Sequence, residues 1–258
     1  MHRARALAQL SICLRGQIPA QADWPDILHL ANESLITSEL FRLLMKDDDV
    51  RLALPEEVRV FLAEVHKRNH ARNASLFDTL KEAIAALNAV DIEPVLLKGC
   101  GVWAADISAG GGPSGDRMLS DLDLLVRRSD GRKAVEALVR AGFPVLADHE
   151  AEDYHEVAVL GRTQDAGGID LHHRAPAPLG IPVIDNLHAH CRAIEFAGLK
   201  ARLPRPELQI LILSLHDQIH GGNFWMGGFS LRHLIDIAKL TKGAEPIDWS
   251  FLIGACPT

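Results

Sequence analysis

Several things are scarce in this 258-residue chain, and each scarcity removes a class of function. Positive charge is short: 27 Lys and Arg against 34 Asp and Glu give a formal net charge of −7. Proteins that hold long nucleic acids need surplus positive charge to release phosphate counterions, so an extended nucleic acid is not expected as a partner, while an RNA end stays open. Cysteine is short too. Cys13, Cys100, Cys191 and Cys256 are scattered and form no C-x-x-C pair, which argues against a zinc knuckle or a disulfide framework and reads as reduced thiols. Long apolar runs are absent. Stretches such as residues 210–215 fall far short of a membrane span, so no membrane partner is expected. Arg3 and Arg5 before residues 6–14, with Ala20-Gln21-Ala22 further on, superficially suggest a secretory leader. Gln9 and Ser11 interrupt that stretch, and an amphipathic helix carrying Leu7, Leu10 and Leu14 explains it better; the expectation is a cytoplasmic protein.

What is present falls into three stretches. Residues 1–90 have helical periodicity, with Val58, Phe61, Leu62 and Val65 and then Leu76, Leu80, Ala83, Ile84 and Leu87 recurring at helical spacing. Residues 91–200 read as a mixed α/β unit. Short apolar strands are expected at residues 94–97, 121–126, 156–160 and 168–172, with helices at residues 102–107 and after a Ser129-Asp130 cap. From Pro206 the helical period returns, so residues 201–258 form a C-terminal helical region. The fold class is therefore α+β: a small mixed β-sheet core between helical regions.

The chemistry concentrates on aspartates. In a strand, residues two apart share a face, so Asp121 and Asp123 should project together. Two carboxylates about 4 Å apart repel by about 4 kcal/mol at an effective dielectric near 20. Hard divalent cations favour such oxygen ligands, and Asp170 on its own strand would be a third ligand if the two strands are neighbours. A lone D-x-D is more often a solvated strand end, so the surroundings decide.

Those surroundings are Val95-Leu96-Leu97-Lys98-Gly99, then Arg117-Met118-Leu119-Ser120-Asp121-Leu122-Asp123-Leu124-Leu125-Val126, then Ile169-Asp170-Leu171-His172-His173-Arg174, with Arg232-His233-Leu234-Ile235-Asp236-Ile237-Ala238 beyond. The set resembles the uncharacterised nucleotidyltransferase family of the polymerase-β-like superfamily, over roughly residues 75–250. The resemblance implies two Mg²⁺ ions, with Mn²⁺ as a substitute, and an NTP at the sheet edge. It makes Asp121, Asp123 and Asp170 the metal-binding and catalytic carboxylates. It also implies transfer of NMP to an unidentified acceptor, a small molecule, a peptide or protein side chain, or an RNA end, with release of pyrophosphate. Lys98-Gly99 stands where more typical superfamily members carry a Gly-Ser pair holding the triphosphate. Lys98, Gly99, Arg117, Ser120, His172, His216 and Arg232 are the nucleotide-contacting candidates.

Other readings stay open beside this one. A non-catalytic nucleotide- or partner-binding module would keep the fold without turnover. His216 and His220, four apart, have a spacing that suits zinc, but Asp217 replaces the Glu of H-E-x-x-H, and a polar network is the better reading. Gly110 to Gly115 fits G-x-G-x-x-G, yet follows a helix and leads into a strand, the wrong order for a dinucleotide site. Phe224 and Trp225, bracketed by glycines, suit either base stacking or loop packing, with packing slightly favoured. His155 is a candidate neighbour of His172, with a structural histidine at least as good an account of either.

Overall fold

The structure, a computed structural model, describes residues 2–108, 110, 112–148, 156–175, 181, 184, 186–243 and 245–255. The chain divides into two compact units. One comprises residues 1–74 with 113–118, and the other residues 75–112 with 119–258. A single long helix, Glu56–Asn88, supplies residues to both.

In the first unit, α1 (His2–Cys13), α2 (Trp24–Glu33), α3 (Thr37–Leu44) and α4 (Asp48–Ala53) lead into α5 (Glu56–Asn88). Leu10, Ile27, Leu40, Leu44 and Leu62 are fully buried there, each worth about 1.5–3 kcal/mol in transfer free energy. Of the expected apolar face of α1, Leu10 is buried whereas Leu7 is exposed. Asn69 and Asn73 lie one turn apart on α5 and bind the backbone of residues 114–117. The Asn69 amide donates to the Gly115 and Arg117 carbonyls (2.6 and 3.1 Å), and the Asn73 amide to those of Ser114 and Arg117 (2.7 and 2.9 Å).

The second unit is built on a seven-stranded mixed sheet with strand order β3-β4-β5-β2-β1-β7-β6. Its strands are β1 (Val95–Leu96), β2 (Leu122–Leu125), β3 (Val145–Asp148), β4 (Glu156–Leu160), β5 (Ile169–His172), β6 (Cys191–Phe196) and β7 (Leu199–Pro204). The helices α6 (Lys98–Ser108) and α7 (Gly131–Arg140) follow β1 and β2, and α8 (Pro206–Leu215) follows β7. β2 pairs antiparallel with β1 and parallel with β5.

Both faces of β2 are buried, so its alternation separates two apolar clusters. Leu122, Leu124 and Val126 pack with Leu80, Ile84 and Leu87 of α5, Trp103 of α6 and Leu138 of α7. Leu125 packs on the opposite face with Val95, Leu97 and the α8 residues Leu208, Leu211 and Ile212. Asp123 and Leu125 are two apart, so Asp123 lies on the α8 side.

Three local expectations need correction. The helix expected at 102–107 begins earlier, at Lys98. Ser129-Asp130 forms part of a 3₁₀ turn before α7, and neither side chain caps that helix. The hairpin of β6 and β7, and strand β3, had no counterpart in the sequence reading.

Candidate active site

The acid cluster is assembled by strand register. On the parallel pair β2 and β5, Asp123 stands opposite Asp170 and Leu125 opposite His172. Asp170 and His172 are two apart on β5 and share a face, whereas Ile169 and Leu171 enter the core on the other. Ligand atoms of Asp123, Asp170 and His172 consequently lie within 4.8 Å of one another, a spacing that would hold a metal ion. Asp121 precedes β2, partly exposed, with the Ser120 hydroxyl donating to its Oδ1 at 3.0 Å. It lies within electrostatic reach of both Asp170 and Lys98.

Asp123 is 2 % exposed and carries two close partners. Lys98 Nζ is 2.5 Å from its Oδ1, and His172 Nε2 is 3.0 Å from the same oxygen. Burial acts to raise the Asp123 pKa, but Lys98 and His172 outweigh it and hold the carboxyl well below the usual range. Burial likewise acts to lower the Lys98 pKa, and Asp123 more than reverses it. This is a fully ionised buried pair.

Asp170 is different. Burial first, and then the charges of Asp123 and Asp121, push its carboxyl up to about 6. Two acids on facing strands, one already neutralised by a lysine and one still repelled, form a donor set that a hard divalent cation would satisfy.

Lys98 opens α6 with φ +47°, a left-handed backbone that glycine adopts most easily. A lysine accepts that strain here and lays its ammonium on Asp123. Gly99 is buried in the first turn of the same helix, whose free N–H groups suit an anion.

The C-terminal helices bring a histidine array to this unit. α8 passes into a π-helical turn, His216–His220, closed by Gly221 N–H donating to the His216 carbonyl at 2.7 Å. Such turns occur frequently at functional sites. Burial, followed by the Lys98 charge, pushes the His216 pKa down to about 3, so the ring is neutral beside the cluster. Its ring lies 5.3 Å from that of His220 and 5.6 Å, edge-on, from that of His233. His233 belongs to α10 (Leu231–Lys242), which follows the short helix α9 (Asn223–Met226). His233 Nδ1 is 3.1 Å from Asp217 Oδ1, and Asp217 also accepts from the Asn223 amide at 2.9 Å and the Ser230 N–H at 3.1 Å. Sequence reasoning placed His216 and His220 in a polar network but missed the Asp217–His233 contact, because i,i+4 spacing on one helix does not reveal a partner on another.

The remaining candidates separate. Arg232 lies partly buried at the start of α10. Arg117 belongs to the first unit, where it is buried and its carbonyl is held by Asn69 and Asn73. Residues 113–118 of the glycine-rich loop belong to that unit too. A Cβ at Gly115 would come 2.9 Å from the His70 Cβ, so close packing explains this glycine. Phe224 and Trp225 are 58 % and 80 % exposed, so loop packing does not account for them. His155 and Cys256 lie outside the described residues. Cys13, Cys100 and Cys191 are buried, and burial pushes the Cys13 and Cys191 thiols up to about 11 and about 12, leaving these two unreactive. No helix among the described residues is long and apolar enough to cross a membrane.

The sequence profile of the uncharacterised nucleotidyltransferase family matches residues 20–255. Among solved structures, the complex of ANT(2″)-Ia with adenylyl-2″-tobramycin is 15% identical, with 70% of this chain and 94% of that one covered at a TM-score of 0.45. The lincomycin-bound lincosamide antibiotic adenylyltransferase LnuA is 17% identical, covering 65% and 95% with a TM-score of 0.41. An antigenic nucleotidyltransferase-like protein from Paracoccidioides brasiliensis is 16% identical, covering 72% and 85% with a TM-score of 0.42. No curated protein matches in sequence.

Proposed function

The chain belongs to the uncharacterised nucleotidyltransferase family, and from that premise we propose that it transfers NMP from an NTP to an acceptor, with pyrophosphate released, at the cluster of β2 and β5. The observation that carries this reading is the register placing Asp123 opposite Asp170, with His172 beside them and Asp121 within electrostatic reach.

Asp121, Asp123 and Asp170 would hold two Mg²⁺ ions, or Mn²⁺ in their place. Bound there, the ions supply charge neutralisation for the phosphoryl oxygens and for the leaving pyrophosphate. The protein side chains do the rest. Lys98 and the Gly99 N–H at the start of α6 meet the triphosphate, with Ser120 beside Asp121. His172 fixes the orientation of Asp123 through its 3.0 Å contact. His216 and Arg232 would line the site from the C-terminal helices. Asp170 accepts the hydrogen bond of the acceptor's attacking group and takes its proton. The new bond joins the acceptor to the α-phosphorus. The bond from that phosphorus to the bridging oxygen breaks, and its electron pair leaves with pyrophosphate. Acceptors in keeping with the acidic chain are a small molecule, a peptide or protein side chain, or an RNA end.

The test is pyrophosphate release from ATP, CTP, GTP and UTP in turn, with Mg²⁺ and panels of each acceptor class. Wild type should turn over at least one pair and Asp121→Asn should not. Equal release by wild type and Asp121→Asn would overturn the reading.

A further inference from the structure

Six large apolar side chains stand in solvent within a stretch of sixteen residues of the second unit: Ile219, Phe224, Trp225, Met226, Phe229 and Leu234. Elsewhere among the described residues no stretch of that length exposes more than three. Met226 is 84 % exposed, and Ile219, Phe229 and Leu234 are 41–50 % exposed. Hydrogen bonds close the segment on itself. Asp217 accepts from the Asn223 amide before the aromatic pair and from the Ser230 N–H after it. Gln218 donates to the Gly228 carbonyl at 3.3 Å, and the Leu234 N–H to the Ser230 carbonyl at 3.1 Å. Phe224 and Trp225 meet edge to face, their ring centroids 5.0 Å apart. These ties keep the six side chains within one small region of the surface around Asp217.

Area and charge together say what covers this region. At these exposures Trp225, Phe224 and Phe229 alone leave about 400 Å² in water, near the largest apolar patch of a typical monomer. Met226, Ile219 and Leu234 extend it toward the roughly 800 Å² that each partner gives to a standard interface. That is the size of a protein contact. The chain carries a net charge of −7, so two copies repel wherever their carboxylates approach. Yet the eighteen residues 218–235 hold no Asp or Glu, and Arg232, partly buried, is their one permanent charge. A foreign charged partner would be selected by a complementary charge pattern, which this face lacks. A second copy needs none, because a two-fold interface sets identical surfaces against one another.

We propose that this face is the contact surface of a homodimer, in which Phe224, Trp225, Met226 and Phe229 of one copy pack against the same surface of the other about a two-fold axis. The aromatic and Met side chains form the apolar centre of the contact, as they do in protein interfaces generally. Gly222 and Gly227, left-handed at φ +72° and +62°, close α9 on either side and hold its aromatic residues at the surface. The contact uses no residue of the acid cluster, so it stands or falls apart from the transfer reading.

The experiment is sedimentation equilibrium of the full chain at neutral pH, from about 1 to about 200 µM. Wild type should reach the mass of two chains within that range. The double variant Trp225→Asp, Met226→Asp changes two exposed positions and should keep the wild-type circular dichroism. Its dimer dissociation constant should rise about a hundredfold or more, because pairing would now bury four carboxylates. Leu146→Asp, at an exposed position on the edge strand β3, should dimerise as wild type does. Dissociation of wild type on dilution should also move tryptophan emission to the red as Trp225 enters water, a shift that Trp225→Phe removes. A single chain at every concentration would overturn the proposal and leave the face to another partner. So would a dimer that persists in the double variant, one that Leu146→Asp breaks, or one that dissociates without the emission shift.

Discussion

Asp123 and Asp170 stand opposite one another on parallel strands, yet their protonation behaviour diverges: Lys98 holds the first ionised, while the second is raised to about 6. A raised carboxyl binds its proton more tightly folded than unfolded. In a chelator, stability contributed by protonated Asp170 is therefore fully present below about pH 4 and lost as pH rises through about 6. Asp170→Asn should remove that loss, stabilising the metal-free protein at pH 8 by on the order of 2 kcal/mol. The same substitution should abolish the rise in melting temperature that millimolar Mg²⁺ gives wild type. Thermal unfolding of both proteins in EDTA and in Mg²⁺ at pH 5 and pH 8 checks the pair of outcomes. Wild type more stable than Asp170→Asn in EDTA at pH 8 would contradict the argument.

Lys98 poses the complementary case. Removing one partner of a buried ion pair costs about 3–5 kcal/mol, because the other charge is left uncompensated. Lys98→Met should therefore lose about that much in EDTA, measured by urea unfolding. A divalent cation beside Asp123 would replace the lost charge, so the deficit should narrow in Mg²⁺. A deficit identical in EDTA and Mg²⁺ would mean that no cation reaches Asp123. Lys98→Gly should be less harmful than Lys98→Met by about 1 kcal/mol, since glycine relieves the backbone at φ +47°.

Much of the site was legible in the sequence because strand alternation and register are short-range properties. Residues 121–126 read as a strand carrying both acids, whereas β2 begins at Leu122 and leaves Asp121 just before it; the register of Asp123 with Asp170 needed only that the two strands be neighbours. Other features were not legible, for identifiable reasons. The β6–β7 hairpin turns through Ala197 at φ +50° and Gly198 at φ +81°, and alanine at the first position hides the Asn-Gly or Asp-Gly signal that such a turn usually carries. The π-helical turn at His216–His220 cannot be read from apolar periodicity, which continues smoothly from α8. Lys98 looked like a departure from a Gly-Ser phosphate anchor, and only the dihedral angle shows that the backbone kept a glycine-like conformation while gaining a cation.

Asp217 links the histidine array to the loop after α9, and its pH dependence runs opposite to that of Asp170. Burial acts to raise its pKa, but hydrogen bonds from His233, Gln218 and Asn223 prevail and lower it. A depressed carboxyl contributes stability that is present above its unfolded pKa near 4 and lost as pH falls through the lower folded value. Asp217→Asn should cost about 1–3 kcal/mol at pH 7. It should also flatten the fall in stability between about pH 4 and pH 2. Urea unfolding across pH 2–7 checks this, and a variant with an unchanged acid limb would refute the role of Asp217.

Gly167 ties backbone packing to the acids. A Cβ at this position would come 2.5 Å from the Ser120 carbonyl oxygen and 3.2 Å from a Leu76 methyl. The first contact is with rigid backbone immediately before Asp121, and Gly168 beside it accepts from the Leu122 N–H at 2.9 Å. Gly167→Ala must therefore push apart the two segments that carry Asp121 and Asp170. The expected loss is about 1–3 kcal/mol from overpacking. Turnover should fall further than stability explains, because an ångström of displacement at a reacting centre costs about a hundredfold. Comparing urea midpoints with pyrophosphate release at a temperature where both proteins are folded separates the two effects. A variant as stable and as active as wild type would show that the approach of Gly167 to Ser120 does not set the spacing of the cluster.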